Sequence, residues 1–289
     1  MKKLLCLIFI LYWAINLNAQ QAWTKKKGEF YTQIGASWIG YGTLLNGNND
    51  LLPIWRNVND FSVQLYGDYG ITDKWMVNVN LPIKILTSSK TLNDSSYLSE
   101  APLNAGNMVG LGNTQVGVSY GILQNKSFVM AAHMRFNMYP LAPRQNTGFQ
   151  TGYQAFGLMP SIAMGYGHQY FFASTEFGVN YRTHGYSLQF SSLTQIGTVI
   201  KKKFYIILGL DLLFSVPITT LRDGDARHTG LYLDRMQYQA PSIKLGWAIT
   251  PELRVWLASG GLGLAGGREL GGGPSFSFSI FYQKKNSEE

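Results

Sequence analysis

Hydrophobic and polar positions alternate with a period of two along most of this chain. In FYTQIGASW, Phe30, Thr32, Ile34, Ala36 and Trp38 share one face of an extended segment, and Tyr31, Gln33, Gly35 and Ser37 share the other. Phe61, Val63, Leu65 and Tyr69 then alternate with Ser62, Gln64, Tyr66 and Asp68, and Trp75, Val77, Val79, Leu81, Ile83 and Ile85 with Asn78, Asn80 and Lys84. An amphipathic helix would instead space its apolar residues three and four apart. The same rule predicts strands near 112–122, 128–138, 156–166, 170–182, 187–199, 204–216, 237–249, 253–262 and 274–282, about twelve in all. Each is roughly ten residues long, the length with which a tilted strand crosses a hydrocarbon layer.

The connections alternate too. Those at 71–74, 124–126, 167–169, 201–203 and 250–252 are short, whereas 41–59, 87–110, 139–154, 217–235 and 263–273 are longer and mostly polar; only the link around His184-Gly185 is brief out of turn. Short turns at one end, long loops at the other and an even strand number describe an outer-membrane barrel with both termini in the periplasm. Aromatic residues gather near the strand ends, among them Trp38, Tyr69, Trp75, Tyr120, Tyr166, Tyr181, Phe204, Trp247 and Tyr282, where amphipathic rings sit at the headgroup levels. The closing SFSFSIFY turns Phe276, Phe278, Ile280 and Tyr282 outward, similar to the signal read by the barrel-assembly machinery, with Gln283 to Glu289 following it. A soluble β-sandwich or lipocalin-like barrel also alternates, but would turn its apolar face inward. Here the polar face carries the small residues suited to a lumen.

Lys2 and Lys3, an apolar run from Leu4 to Leu17 and the sequence Leu17-Asn18-Ala19 form a signal peptide. Residues 1–19 are therefore expected to be removed and 20–289 to form the barrel. The apolar run is shorter than the roughly 20 residues of a helical span. Cys6, the sole cysteine, lies inside that run without a preceding cleavage site, so the mature chain has no thiol for a disulfide, a metal or a nucleophile. Residues 20–27 are too few to fold a plug domain, and energy-coupled import is not expected. The formal charge of +8 falls to +6 without Lys2 and Lys3, and basic residues cluster only at Lys25–Lys27 and Lys201–Lys203. Such clusters fit solvated turns or lipid headgroups better than nucleic acid. Charged residues make up 14% and aromatics also 14%, against about 25% charged in an average soluble domain, which suits a wall facing lipid. After the signal no run of 18 apolar residues remains for a helical span, and a closed barrel is then the way to satisfy the backbone in lipid. The expected fold is all-β, a transmembrane antiparallel β-barrel of about twelve strands. Its expected surroundings are bacterial outer-membrane lipid and lipopolysaccharide.

The segments GDYGITDKWMVNVNLP (67–82), GLGNTQVGVSYGI (110–122) and GGGPSFSFSIFY (271–282) resemble the outer-membrane barrels of the family named for the meta-pathway of phenol degradation. The resemblance spans most of the mature chain and rests on strand and turn patterns, with no catalytic residue among them. It implies passive uptake or efflux of small compounds, hydrophobic or aromatic ones included.

In this register Asp68, Lys84, His133, Arg135, Glu176, Arg182, Asp211, Lys244 and Arg254 face the lumen, together with Gln64, Asn78, Asn80, Gln115, Asn137, Asn180 and Gln195. A strongly anion-selective pore would carry a one-sided basic lining. The mixture of signs predicts ion pairs across the interior or a weakly selective path. Inward Gly35, Gly117, Ser119, Gly157, Ser161, Gly178 and Ser191 would widen that path. In the loop, Asp223 and Asp225 with His228 could hold a divalent ion or activate a water, but further oxygen ligands and a distal Glu are missing, which favours a solvated turn. No metal or cofactor is expected. For a phospholipase-type barrel, His133-Met134-Arg135 lacks a serine two positions on, and no G-x-S-x-G, H-E-x-x-H or phosphate-binding loop appears. Loop 87–110, with Leu92, Tyr97, Leu98 and Leu103, carries apolar residues that could constrict the mouth or meet a partner. Meeting a partner would suit a non-conducting structural or binding barrel in a surface complex.

Overall fold

The computed structural model describes residues 22–45, 50–90, 104–138, 147–201, 203–216, 229–262, 267–268 and 270–285. The strands are β1 (Phe30–Leu45), β2 (Leu51–Gly70), β3 (Trp75–Ser88), β4 (Gly106–Leu111), β5 (Gln115–Gln124), β6 (Phe128–Asn137), β7 (Gly157–Gly167), β8 (Phe172–Arg182), β9 (Leu188–Ile200), β10 (Phe204–Val216), β11 (Gln237–Ala248), β12 (Leu253–Leu262), β13 (Gly267–Arg268), β14 (Leu270–Gly271) and β15 (Gly273–Lys284). Twelve of them close a barrel: β1, β2, β3, β5 to β12 and β15, each antiparallel to its neighbours, with β10 meeting β11 and β15 returning to β1. The seam between β1 and β15 runs without a break from Phe30↔Lys284 to Ile39↔Ser275.

The period-two pattern places the apolar face outside. Each barrel strand exposes a large apolar side chain, in order Ile34, Leu65, Val79, Val116, Met134, Ile162, Phe177, Ile196, Leu208, Leu245, Leu257 and Phe278. So continuous an apolar belt is untenable in water and is the surface a hydrocarbon layer requires. Aromatic rings border it across neighbouring strands: Phe30 with Tyr282 at 5.7 Å, Trp75 with Tyr120 at 4.9 Å and Phe204 with Trp247 at 6.2 Å near the short turns, and Trp38 with Phe276 at 6.2 Å further along.

Three expected loops prove to be partly strand. β1 and β2 stay paired as far as Leu45↔Leu51, so most of 41–59 is a hairpin that continues the wall. Beyond the belt the outer face meets water and no longer has to be apolar; Asn57 points outward and is exposed, and the alternation that marks a membrane strand disappears. Within 87–110, β4 pairs with the outer half of β3 (Leu86↔Met108), and 263–273 contains β13 and β14. β4 and β5 together make one interrupted strand beside β3. At the interruption Gly112 donates its N–H to Pro82 O at 2.8 Å.

The lipid-facing assignment has a direct check. Leu208→Arg puts a charge on the belt and is expected to cost about 2–4 kcal/mol of folding stability in a bilayer, read by urea titration in liposomes. Ser242→Arg, on the inner face, is expected to cost clearly less. Equal costs would refute the inside-outside assignment.

Candidate functional site: an interior chamber

Residues 22–29 turn back across the short-turn opening. Gly28 donates its N–H to Gly70 O at 2.9 Å, and Lys25 N–H points at Met76 Sδ at 3.4 Å. Ala22 packs on Val129 and Ala163, and Trp23 on Phe172, Tyr205, Ile207 and Ala248. Gly165 makes the room, because a Cβ there would lie 2.4 Å from the Trp23 ring. Lys25, expected in a solvated turn or at lipid headgroups, is instead buried with its ammonium 5.7 Å from the Tyr31 ring; Lys26 and Lys27 are exposed. Burial pushes the Lys25 ammonium below the usual lysine value, against the pull of Asp68 and Glu29.

At the long-loop end two segments fold inward, 147–156 and 229–236. Phe149 and Leu231 complete an apolar cluster with Ile39, Tyr41, Ile54, Val58, Leu86 and Met108. The polar backbone brought in with them is met mostly by side chains, as a buried segment demands. Arg56 donates to Thr147 O at 2.9 Å, Tyr41 to Thr229 O at 2.6 Å, Gln150 to Leu231 O at 2.6 Å and Thr229 to Gly148 O at 2.9 Å, while Thr151 donates from the segment to Leu111 O of β4 at 2.8 Å. Asn113, freed inward by the break between β4 and β5, donates to Tyr153 O at 2.9 Å and accepts from Tyr153 N–H at 2.5 Å. Both roles need a carboxamide.

An ion pair on which little water acts anchors the second segment. Arg182 Nη2 reaches Asp234 Oδ1 at 3.4 Å, with side-chain exposures of 2% and 0%. Asp234 also accepts from Ser187 N–H at 2.6 Å and Ser187 Oγ–H at 2.7 Å, while the Arg182 guanidinium lies 4.2 Å from the Tyr153 ring and 4.8 Å from that of Tyr186. The aromatic faces and the carboxylate together replace the water the guanidinium has lost.

Between the two closures lie the other charged residues expected inside. Lys84 Nζ meets Asp60 Oδ2 at 2.8 Å and Oδ1 at 3.1 Å, and passes 5.6 Å from the Tyr232 ring. Arg135 and Glu176 form a two-pronged pair, one prong Nη2 to Oε2 at 3.1 Å, and Ser161 Oγ–H donates to Glu176 at 2.6 Å. Asp68 accepts from Tyr66 Oη–H at 2.7 Å, and Asp211 from Tyr238 Oη–H at 3.3 Å. His133 Nδ1 lies 2.7 Å from Ser119 Oγ, which also accepts from Asn78 Nδ2 at 3.2 Å. Ser119 is 1% exposed, so this serine–histidine contact braces the wall and presents no accessible nucleophile. Lys244 and Arg254 line a chamber of about 240 Å³ whose other walls include Gln33, Gln64, Gln195, Gln283, Tyr205, Trp256, Phe281 and the serines Ser37, Ser277 and Ser279.

Of the expected cations Lys84, Arg135 and Arg182 stand in ion pairs among the described residues; two of the three carboxylates that make these pairs were not singled out, Asp234 in the expected connection 217–235 and Asp60 just beyond the expected connection 41–59, nor was Arg56. Loop 139–154, expected to run outside, instead sends 147–154 into the interior, and the same holds for 229–235 of loop 217–235. Leu92, Tyr97, Leu98 and Leu103, and Asp223, Asp225 and His228, lie outside the described residues. Among the described residues no group of His, Cys, Asp and Glu is arranged to hold a metal.

No family model and no curated protein sequence matches this chain. Solved structures do. The crystal structure of the COG4313 outer membrane channel from Pseudomonas putida F1 is similar over 93% of this chain and 100% of that one, with a TM-score of 0.70 at 10% identity. The NanC porin matches over 86% and 98% of the two chains with a TM-score of 0.50 at 10% identity, and the beta domain of the Bordetella autotransporter BrkA over 89% and 100% with a TM-score of 0.50 at 12%. At these identities the likeness is one of fold: this chain has the architecture of outer-membrane barrels.

Two predictions test the closures. Asp234→Ala strands Arg182 without its carboxylate and is expected to cost about 3–5 kcal/mol locally, seen as rapid proteolysis within 229–236 while the barrel keeps its heat-modifiable migration; undiminished protection would show that the pair anchors nothing. Maleimide labelling of Ala22→Cys is expected to be slow in the otherwise native barrel and at least tenfold faster when Gly165→Val displaces Trp23. Equal rates would mean that the arm does not dock there.

Proposed function

We propose that this chain is an exported outer-membrane channel that passes small solutes without energy input. In this reading residues 1–19 are a signal peptide, and the barrel inserts with its short turns in the periplasm and its long loops outside. Its neighbours are outer-membrane lipid, lipopolysaccharide and the barrel-assembly machinery. The observation that carries the reading is the chamber itself: a wall that closes on itself, apolar outside, holds open space inside lined by Lys244, Arg254 and four glutamines, while the arm and the two inward segments are no strands of that sheet. Because the sheet closes independently, the obstructions can shift without breaking it. The aromatic faces of Tyr205, Trp256 and Phe281 in the chamber support hydrophobic or aromatic compounds among the solutes, which agrees with what the resemblance to the phenol-degradation family implies. Two of the structural neighbours are a channel and a porin, which supports transport over catalysis.

Planar-bilayer recording of the refolded mature protein, with solute swelling of liposomes in parallel, tests this. Discrete openings and solute entry are expected. Glu176→Gln, which removes the partner of Arg135, is expected to shift the reversal potential toward anions, and an unchanged potential would take this pair off the path. A folded, heat-modifiable barrel that neither conducts nor admits solute would sink the channel reading and leave a structural or binding barrel of a surface complex.

A further inference from the structure

The interior charges are not equally provided for. Among the described residues Lys84, Arg135 and Arg182 each have a carboxylate partner, but Lys244 and Arg254, the two cations on the chamber lining, form no ion pair. The chamber lining holds no Asp or Glu at all. Asp211, on the strand next to Lys244, accepts from Tyr238 Oη–H at 3.3 Å and forms no ion pair with the lysine. Arg254 gives one nitrogen to Pro251 O at 3.4 Å, and its buried Nε has no hydrogen-bond partner. Its guanidinium lies 5.0 Å from the Tyr205 ring and 5.7 Å from that of Phe281.

Between the two cations the wall is aromatic and flat. Lys244 stands opposite Ala258 and Arg254 opposite Ala248, which leaves Trp256 between them on the inner face. Four residues along β12 separate their levels, roughly 13 Å by the rise of a strand. Trp256 stacks on Phe281 with centroids 5.7 Å apart and planes 14° apart. It lies across Gly246, where a Cβ would come within 2.2 Å of the indole ring, so the ring is pressed against the wall and the chamber in front of it stays open. A cation at each end of a planar aromatic floor, with glutamine amides around it, is complementary to a planar organic anion: charge-assisted hydrogen bonds hold the carboxylate and ring stacking holds the rest.

We propose that the chamber between Lys244 and Arg254 is a binding site for small aromatic carboxylates. This rests on the channel reading for how the ligand arrives, but binding itself does not require conduction. The test uses benzoate as the probe, with acetate and benzyl alcohol as the charge-only and ring-only controls, in equilibrium dialysis against the refolded mature protein in detergent. Saturable benzoate binding is expected, at least tenfold tighter than either control, and at least tenfold weaker in Arg254→Gln and in Lys244→Gln than in the native chain or in Lys74→Gln at an exposed turn. Ala258→Glu supplies a fixed carboxylate opposite Lys244 and is expected to displace benzoate from a barrel that still shows heat-modifiable migration. No saturable benzoate binding, equal binding of acetate, or native affinity in Ala258→Glu overturns the proposal. Bilayer recordings on the same preparations separate the two readings, since conductance without benzoate binding removes only the site, and benzoate binding in a silent barrel removes only the channel.

Discussion

Hydrocarbon offers no partner to a peptide group, and each N–H or C=O left open in it costs several kcal/mol. A sheet with an edge cannot meet that constraint, so the pairing of β1 with β15 is what the rest of the molecule depends on. Closure has consequences that reach the interior. It sets the start of β1 at Phe30 beside the end of β15 at Lys284, which lets residues 22–29 lie across the short-turn opening next to where the last strand finishes. With the outer face given over to lipid, the charged side chains at membrane depth, among them Asp68, Arg135 and Glu176, are directed inward, and the site is made of what the membrane excludes.

The interior then has its own desolvation cost to meet, and it does so in two ways. Along β2 to β8 the groups satisfy each other, through Asp60 with Lys84, Arg135 with Glu176 and Ser161, and His133 with Ser119. At the long-loop end the inward segments bring backbone that no strand pairs, and Arg56, Tyr41, Gln150 and Asn113 supply partners for it. A filling of this kind has to be polar in sequence even where Phe149 and Leu231 give it an apolar heart.

That is also why the sequence reveals the wall far better than its contents. Within the bilayer one face of each strand must be apolar, and strands such as Phe204–Val216 and Leu253–Leu262 are legible to the residue. Above the bilayer the requirement lapses, so Asn57 and Asn59 read as a loop although they continue β2, and Arg56 and Asp60 on either side of them go unnoticed. Segments 147–156 and 229–236 carry the Thr, Gly, Gln and Tyr of a solvated loop, because hydrogen bonding to a polar interior selects the same residues as hydrogen bonding to water. Lys25 misleads for a related reason: its neighbours Lys26 and Lys27 do face solvent, and only the path of the arm buries the first of the three.

The two closures differ in kind. The long-loop segments are tied by a buried ion pair, a carboxamide used in both directions and several side-chain bonds to backbone, so moving them exposes charges and carbonyls together. The arm is tied chiefly by Trp23 in an apolar recess and by a few backbone contacts, and withdrawing it leaves behind apolar surface and glycines. It also carries a buried ammonium that gains hydration on leaving, which offsets part of the lost packing. The short-turn side is therefore the cheaper one to open. It is also the side on which Phe172 and Tyr205 belong both to the recess that holds Trp23 and to the chamber, so that displacement of the arm changes the chamber's own wall.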